Sequence, residues 1–206
     1  MEQESHAFIT ATPAVAEFDP EIANLKANLN VWIGDAVRAP RISTGLKQLC
    51  KELEGAISQG LISLPERLRA VRPDTYARRL VYEDAGTGIS VLAMVWAPGQ
   101  ATKLHDHSGL WGVEAVLAGE IENVPFNLIA KQNEQYYFHA RPAELVAAGS
   151  TSHVLPPFEH HVTRNVSQAV AITLNIYGGP MPACNIFLPT GLGSYVRQRR
   201  GLSYSD

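Results

Sequence analysis

The chain has 206 residues, a length that one large β domain or two small domains can use, and 46% of them are apolar, enough to build a real core. Its net charge of −3 lacks the basic excess expected of a protein that binds nucleic acid or an anionic membrane. Cys50 and Cys184 are the two cysteines and neither sits in a CxxC pair, which argues against a cysteine zinc site and for two reduced thiols.

The first residues, MEQESHAF, have neither the basic nor the apolar segment of a secretion signal, and residues 1–17 read as a flexible lead-in. No apolar run approaches the roughly 18 residues a membrane helix needs, so the expectation is a cytoplasmic protein with no membrane contact. Residues 18–72 read as helical. Asp19-Pro20 is a helix start, because Asp caps free N–H groups and Pro suits the first turn. Ile22, Leu25, Leu29 and Trp32 then recur at helical spacing. After a break at Ser43-Thr44-Gly45, Leu46, Leu49, Cys50, Leu53 and Ile57 mark a second helix. A short third helix is expected from Pro65 to Val71, ending before Arg72-Pro73.

From Tyr76 the texture changes. Short β-rich runs, among them ISVLAMVW, WGVEAVLAG and AVAITLNIY, are separated by Gly, Pro and Asn. This pattern predicts an antiparallel sandwich or barrel over 76–190, with the helices packed outside it in one domain. Residues 191–206, with Arg197, Arg199 and Arg200, read as a solvated C-terminal tail.

His105-Asp106-His107 is the first chemical signal. Two histidines at i and i+2 on a strand face the same side of a sheet and can share one metal. One such pair alone is also what the wet face of a strand produces. The string G99-x5-H-x-H-x4-G112-x6-G119 resembles the first motif of the cupin superfamily, G-x5-H-x-H-x3,4-E-x6-G. The motif's glutamate, a fourth ligand there, is Gly112 here; Glu114 is expected to point elsewhere. Pro156 to Asn165 resembles the second motif, P-x-G-x2-H-x3-N. That spacing selects His161 and leaves out His160, with Phe158 in place of the motif's glycine. His6, His139, His153 and His160 are taken as surface or hydrogen-bonding residues. Three imidazoles without a carboxylate leave a metal with its full charge and open positions, a site suited to an anionic bidentate ligand. Imidazoles suit iron, zinc, copper and nickel alike.

Tyr76 to Phe187 resembles the cysteine dioxygenase family, among the thiol dioxygenases. Tyr76-x-Arg78 is similar to the family's Y-x-R strand, Trp96 stands nine residues before His105, and Tyr177 and Cys184 match a family tyrosine and cysteine. The resemblance implies a jelly-roll-type cupin barrel, iron(II) on His105, His107 and His161, and oxidation of a small thiol by O2 to a sulfinic acid. It implies catalytic roles for Arg78 and Tyr177. Arg78 would clamp the substrate carboxylate and Tyr177 would hydrogen-bond that carboxylate or oxygen bound at the iron, with Tyr76, Trp96, Thr173 and Asn175 completing the substrate site. Two departures stand out. Animal members carry a cysteine at the place of Gly112, crosslinked to the tyrosine, so Tyr177 is expected to be a free phenol. The family's S-x-H-x-Y run reads Thr173-Leu174-Asn175-Ile176-Tyr177. Asn175 can hydrogen-bond Tyr177 but cannot titrate as histidine does.

Arg78 favours L-cysteine, because relatives with glutamine there prefer 3-mercaptopropionate. Mercaptosuccinate, another thiol acid, a carbon–carbon-cleaving dioxygenase and a non-catalytic metal-binding cupin stay open. Arg79 is expected on the outer surface and Arg164 in a salt bridge at the rim. Nothing in the sequence forces more than a monomer or a weak homo-oligomer.

Overall fold

A computed structural model describes residues 20–191 and 193–205. The expected flexible stretch 1–17, the Asp19 cap and His6 lie outside the described residues. Two helices come first, α1 (Pro20–Arg38) and α2 (Ile42–Ser58). Ile22, Leu25, Leu29, Ile33 and Ala36 are the buried stripe of α1, and Trp32 packs at its margin. The break expected at Ser43-Thr44-Gly45 is absent, since these residues form the first turn of α2. Gly45 is there for close approach: a Cβ on it would lie 1.9 Å from the Ala36 carbonyl oxygen. The third helix shrinks to one 3-10 turn, Glu66–Leu68.

Twelve strands follow among the described residues: β1 (Ala77–Glu83), β2 (Ser90–Trp96), β3 (Leu104–His105), β4 (Gly112–Ala118), β5 (Glu120–Gln132), β6 (Gln135–Ala140), β7 (Glu144–Ala147), β8 (Thr151–Val154), β9 (His161–Asn165), β10 (Ala171–Tyr177), β11 (Ala183–Pro189) and β12 (Tyr195–Gly201). They make two antiparallel-paired sheets, ordered β1-β2-β10-β4-β8 and β6-β12-β11-β3-β9-β5-β7. This is the all-β cupin barrel with N-terminal helices packed outside it that the resemblance implied. No described helix is long and apolar enough to cross a membrane.

Period-two alternation divides the first sheet. Its outer face, with Val91, Ala93, Val95, Leu174, Ile176 and Val113, packs against both helices in the largest core. The inner face carries the polar set. Arg78, Met94 and Thr173 form one rung, Asn175, Glu114 and Ser152 another, and Tyr177, Gly112 and Val154 a third. Arg79, read as a surface residue, is buried on the outer face, where its guanidinium donates to the Ala70 carbonyl at 2.6 Å. The expectation failed because that face looks onto the helical layer rather than water.

Gly119 (φ +73°) turns β4 into β5; a Cβ there would also meet the Ala171 Cα at 2.8 Å. The stretch read as a solvated tail is strand β12, paired with β11 and β6. Its arginines hid it: they occupy exposed positions of a strand that lies between β6 and β11 and is itself almost wholly exposed.

Candidate metal centre

Three neighbouring strands of the second sheet bring the histidines together. His105 on β3 sits directly opposite His161 on β9, so both rings leave the sheet on the barrel side. His107 follows just past β3, where Asp106 fixes the chain. The Asp106 carboxylate accepts from the Asn185 N–H at 2.9 Å, the Asn185 amide at 2.7 Å and the Ser108 N–H at 3.1 Å. The middle residue of His-Asp-His is therefore an anchor to β11, facing away from its neighbours.

The ring centroids of His105, His107 and His161 stand 4.7–5.1 Å apart, and their ligand atoms lie within 4.8 Å of one another. Bonds of about 2 Å require ligand atoms no more than about 4 Å apart, so the rings would draw together by less than an ångström to hold one ion. The donor chemistry fits as well. Burial lowers the pKa of His105, and lowers those of His107 and His161 far below the ordinary imidazole value, with repulsion among the rings adding to it. Neutral imidazoles are the ligand form. His105 Nδ1 faces the Lys103 carbonyl at 3.0 Å, which puts the proton there and leaves Nε2 its lone pair. His107 Nδ1 is buried with no hydrogen-bond partner among the described residues, as a group waiting for a ligand would be.

The opposite wall belongs to the first sheet. The Tyr177 ring lies 5.6 Å from the His107 ring, and its hydroxyl is 3.8 Å from Met94 Sδ. Burial pushes the phenol well above its usual range, while Arg78 and Asn175 pull the other way. A Cβ at Gly112 would lie 3.4 Å from Tyr177 Cδ1, so the family's cysteine would stand against this ring. Glycine leaves Tyr177 a free phenol. Thr173 receives the Trp96 indole N–H at 3.3 Å and donates to Asn175 Oδ1 at 2.6 Å. The Asn175 amide then donates to Glu114.

Arg78 and Tyr76 lie in an adjoining chamber that shares Met94, Thr102, His105 and Tyr177 with the first. Tyr76 stacks on Trp96 with centroids 4.4 Å apart. Arg78 is held by the segment after β12. Its Nη1 donates to the Ser203 carbonyl at 3.1 Å, its guanidinium lies over the Tyr204 ring, and its backbone bonds Ser205 in both directions. Lys103, Arg200 and Cys184 also line this chamber, and no acidic side chain does among the described residues. Cys50 and Cys184 are both free thiols, Cys50 in the helical core as expected.

Glu114 is the residue the sequence reading misplaced. It lines the metal cavity, on the same face as Gly112 two positions earlier. That period-two relation was the available signal. It is not among the grouped ligands. Burial raises its pKa, against the lowering effect of Asn123, Asn175 and Ser152. Asn123, Ser152, Lys103 and the 203–205 segment had no motif to mark them, because only the folded barrel brings them to the site. Of the other histidines, His139 is exposed, His153 lies 4.0 Å from the Cys50 thiol, and His160 packs on Phe138 and Phe187. Arg164 pairs with Glu122 at the rim as expected.

The family model described as cysteine dioxygenase type I matches residues 65–189. Solved structures of similar shape include a protein of Thermus thermophilus, 24% identical over 57% of this chain and 96% of that one, with a TM-score of 0.42. A Klebsiella pneumoniae protein with a double-stranded β-helix domain is 17% identical over 60% of this chain and 88% of its own, TM-score 0.46. The cupin domain of an Enterobacter cloacae transcriptional regulator of the XRE family is 15% identical over 52% and 99%, TM-score 0.39.

Proposed function

The chain belongs to the cysteine dioxygenase type I family, and on that premise we propose that it is an iron(II)-dependent thiol dioxygenase that oxidises a small carboxylate-bearing thiol, L-cysteine first, to its sulfinic acid. The observation that carries this reading is a cluster of three imidazoles, His107 buried and His105 and His161 partly so, all with lowered pKa and no carboxylate in the set, facing a free tyrosine. Iron(II) on His105, His107 and His161 would supply the Lewis acidity that holds a thiol as thiolate and the electrons that activate O2.

The chain's own residues do the rest. Arg78 stands in the adjoining chamber with its guanidinium steadied by Ser203 and Tyr204, so it meets a substrate carboxylate already oriented. Tyr177 keeps its proton at neutral pH and donates it in a hydrogen bond to the bound substrate. Met94 and Trp96 give the cavity dry walls, which strengthens each polar contact inside it. The net reaction takes one thiol and one O2 to one sulfinic acid, with both oxygen atoms on sulfur.

A second reading has its own observation. Lys103 and Arg200 join Arg78 around the adjoining chamber, a surplus of positive charge that suits a thiol with two carboxylates such as mercaptosuccinate. The test of both is anaerobic loading with Fe(II) followed by a panel of thiols, reading oxygen uptake and sulfinate. Cysteine turnover supports the first reading, and turnover of mercaptosuccinate alone moves the substrate. Iron binding with no thiol oxidised would leave a metal-binding cupin without this activity.

A further inference from the structure

Three spaces stand in a row beside the histidines. The metal cavity and the Arg78 chamber share Met94, Thr102, His105 and Tyr177. Next to the chamber is an outer cleft that touches none of the three histidines. It shares Tyr76, Arg78, Arg200 and Leu202 with the chamber and has Arg72, Ser203 and Ser205 on its own side. The shared side chains are thus a partition between the cleft and the chamber that leads to the metal cavity.

The cleft is built for negative charge. Arg72, Arg78 and Arg200 line it, and no carboxylate does among the described residues. Arg72 is paired with Asp74 at 3.0 Å, but that pair is exposed to water and Asp74 stands outside the lining. Guanidinium groups gathered on one wall raise the local concentration of small anions and the rate at which they arrive.

One side of the cleft is a strap, the segment 202–205 that follows β12. β1 is an outer strand of its sheet, and the strap fastens to that open edge. The Ser205 N–H donates to the Arg78 carbonyl at 2.6 Å, and the Arg78 N–H donates to the Ser205 hydroxyl at 3.1 Å. Arg78 Nη1 donates to the Ser203 carbonyl at 3.1 Å. At the other end the Leu202 N–H donates to the Pro182 carbonyl at 2.8 Å. Between these pins Ser203 and Tyr204 are exposed. Release of the Arg78 end leaves the Pro182 bond as a hinge and opens the partition beside Leu202. A short exposed stretch held in this way opens at far lower cost than the barrel unfolds.

We propose that the outer cleft is the entrance for anionic ligands and that the 202–205 strap is its gate. An anion gathers at Arg72 and Arg200, the strap lifts from Arg78, and the ligand passes Leu202 into the chamber. The strap then closes and seats the Arg78 guanidinium again. That a thiol is the cargo rests on the dioxygenase reading; the route rests on the partition and the strap.

The test is stopped-flow binding of 3-mercaptopropionate, which carries a carboxylate, and of 2-mercaptoethanol, which does not. The protein is loaded anaerobically with Co(II), whose thiolate absorption band reports arrival at the metal. Arg72 lines the outer cleft and neither inner space. Arg72→Ala is therefore expected to slow association of 3-mercaptopropionate by about threefold or more at low ionic strength, an effect lost in high salt, and to leave 2-mercaptoethanol unchanged. Leu202→Trp, which fills the partition, is expected to slow association and dissociation of both thiols alike by about tenfold, with Kd held, and Leu202→Ala to speed both. A held Kd separates a gate from a binding contact. Native rates in all three variants would overturn the proposal and place the entrance on the Ser152 and Val154 side of the metal cavity. A changed Kd with association rates intact would overturn it as well. A native protein that gives no thiolate band loses both the route and the dioxygenase reading. The expected rates without oxygen uptake by the Fe(II)-loaded protein would remove the dioxygenase reading alone.

Discussion

His105 and His161 occupy facing positions of the β3–β9 ladder, with ring centroids 4.7 Å apart. Two imidazoles brought this close inside a barrel repel as cations and cooperate as ligands. The strand pairing therefore builds half of the metal site, and His107 completes it from the turn pinned by Asp106.

His161→Ala is expected to bring bound iron close to zero after anaerobic loading and desalting, because two remaining imidazoles hold a divalent ion poorly. Elemental analysis reads this directly. Native-like iron content in that variant would mean that the metal sits elsewhere. For the native protein, loading is expected to raise Tm, since an ion that binds only the folded state stabilises it.

Arg78→Ala is expected to raise KM for a carboxylate thiol by about tenfold to a hundredfold, the value of roughly 1.5–3 kcal/mol for hydrogen bonds to a charged group. Iron content is expected to change little by comparison. Steady-state kinetics beside metal analysis separates the effects, and parallel loss of both would show Arg78 to be a structural residue.

The pH dependence of stability follows from Glu114. Its folded-state pKa is raised above the ordinary 4.5, with burial the main cause. In that window the folded chain binds more protons than the unfolded chain, so this group lowers stability as pH rises from about 4.5 through the folded value. Glutamine does not titrate. Thermal melts of the metal-free protein are expected to show Glu114→Gln gaining on the native chain between about pH 4 and pH 7. A gap that stays constant or narrows would contradict the buried, uncompensated carboxylate.

Gly45→Val is expected to destabilise the fold by about 1–3 kcal/mol or more, because the added atoms meet the Ala36 backbone and cannot move aside. Leu53→Ala, which empties a fully buried site between α2 and the first sheet, is expected to cost about 2–5 kcal/mol. Urea titration of both variants measures this, and a neutral Gly45→Val would show that α1 and α2 pack less closely than described.

Much of this site is legible in the sequence because its grammar is local. The alternation of His105 with His107, and of Thr173, Asn175 and Tyr177, sets which side chains share a face before any contact is known. The helical stripe from Ile22 to Leu29 is equally plain. What the sequence hides depends on partners. Arg79 looks like any exposed arginine until a helical layer and the Ala70 carbonyl cover it. Ser43 to Gly45 look like a turn, but the packing of Gly45 on α1 carries the helix through them. Arg197 to Arg200 look like a tail because their charged side chains are exposed, although β12 pairs along its length with the preceding strand β11 and at its start with the distant β6. Glu114 was readable from Gly112, but its significance lies in Asn123, Ser152 and Asn175, which three other strands bring to it.

The clasp on Arg78 also sets an order of events during synthesis. The arginine emerges early, on the first strand of the barrel, while the Ser203 carbonyl that fixes its guanidinium comes 125 residues later. A ribosome making this protein thus finishes His105, His107 and His161 before the Arg78 guanidinium can take its fixed place. The seating of Arg78 is therefore a late event, dependent on a segment made well after the histidines.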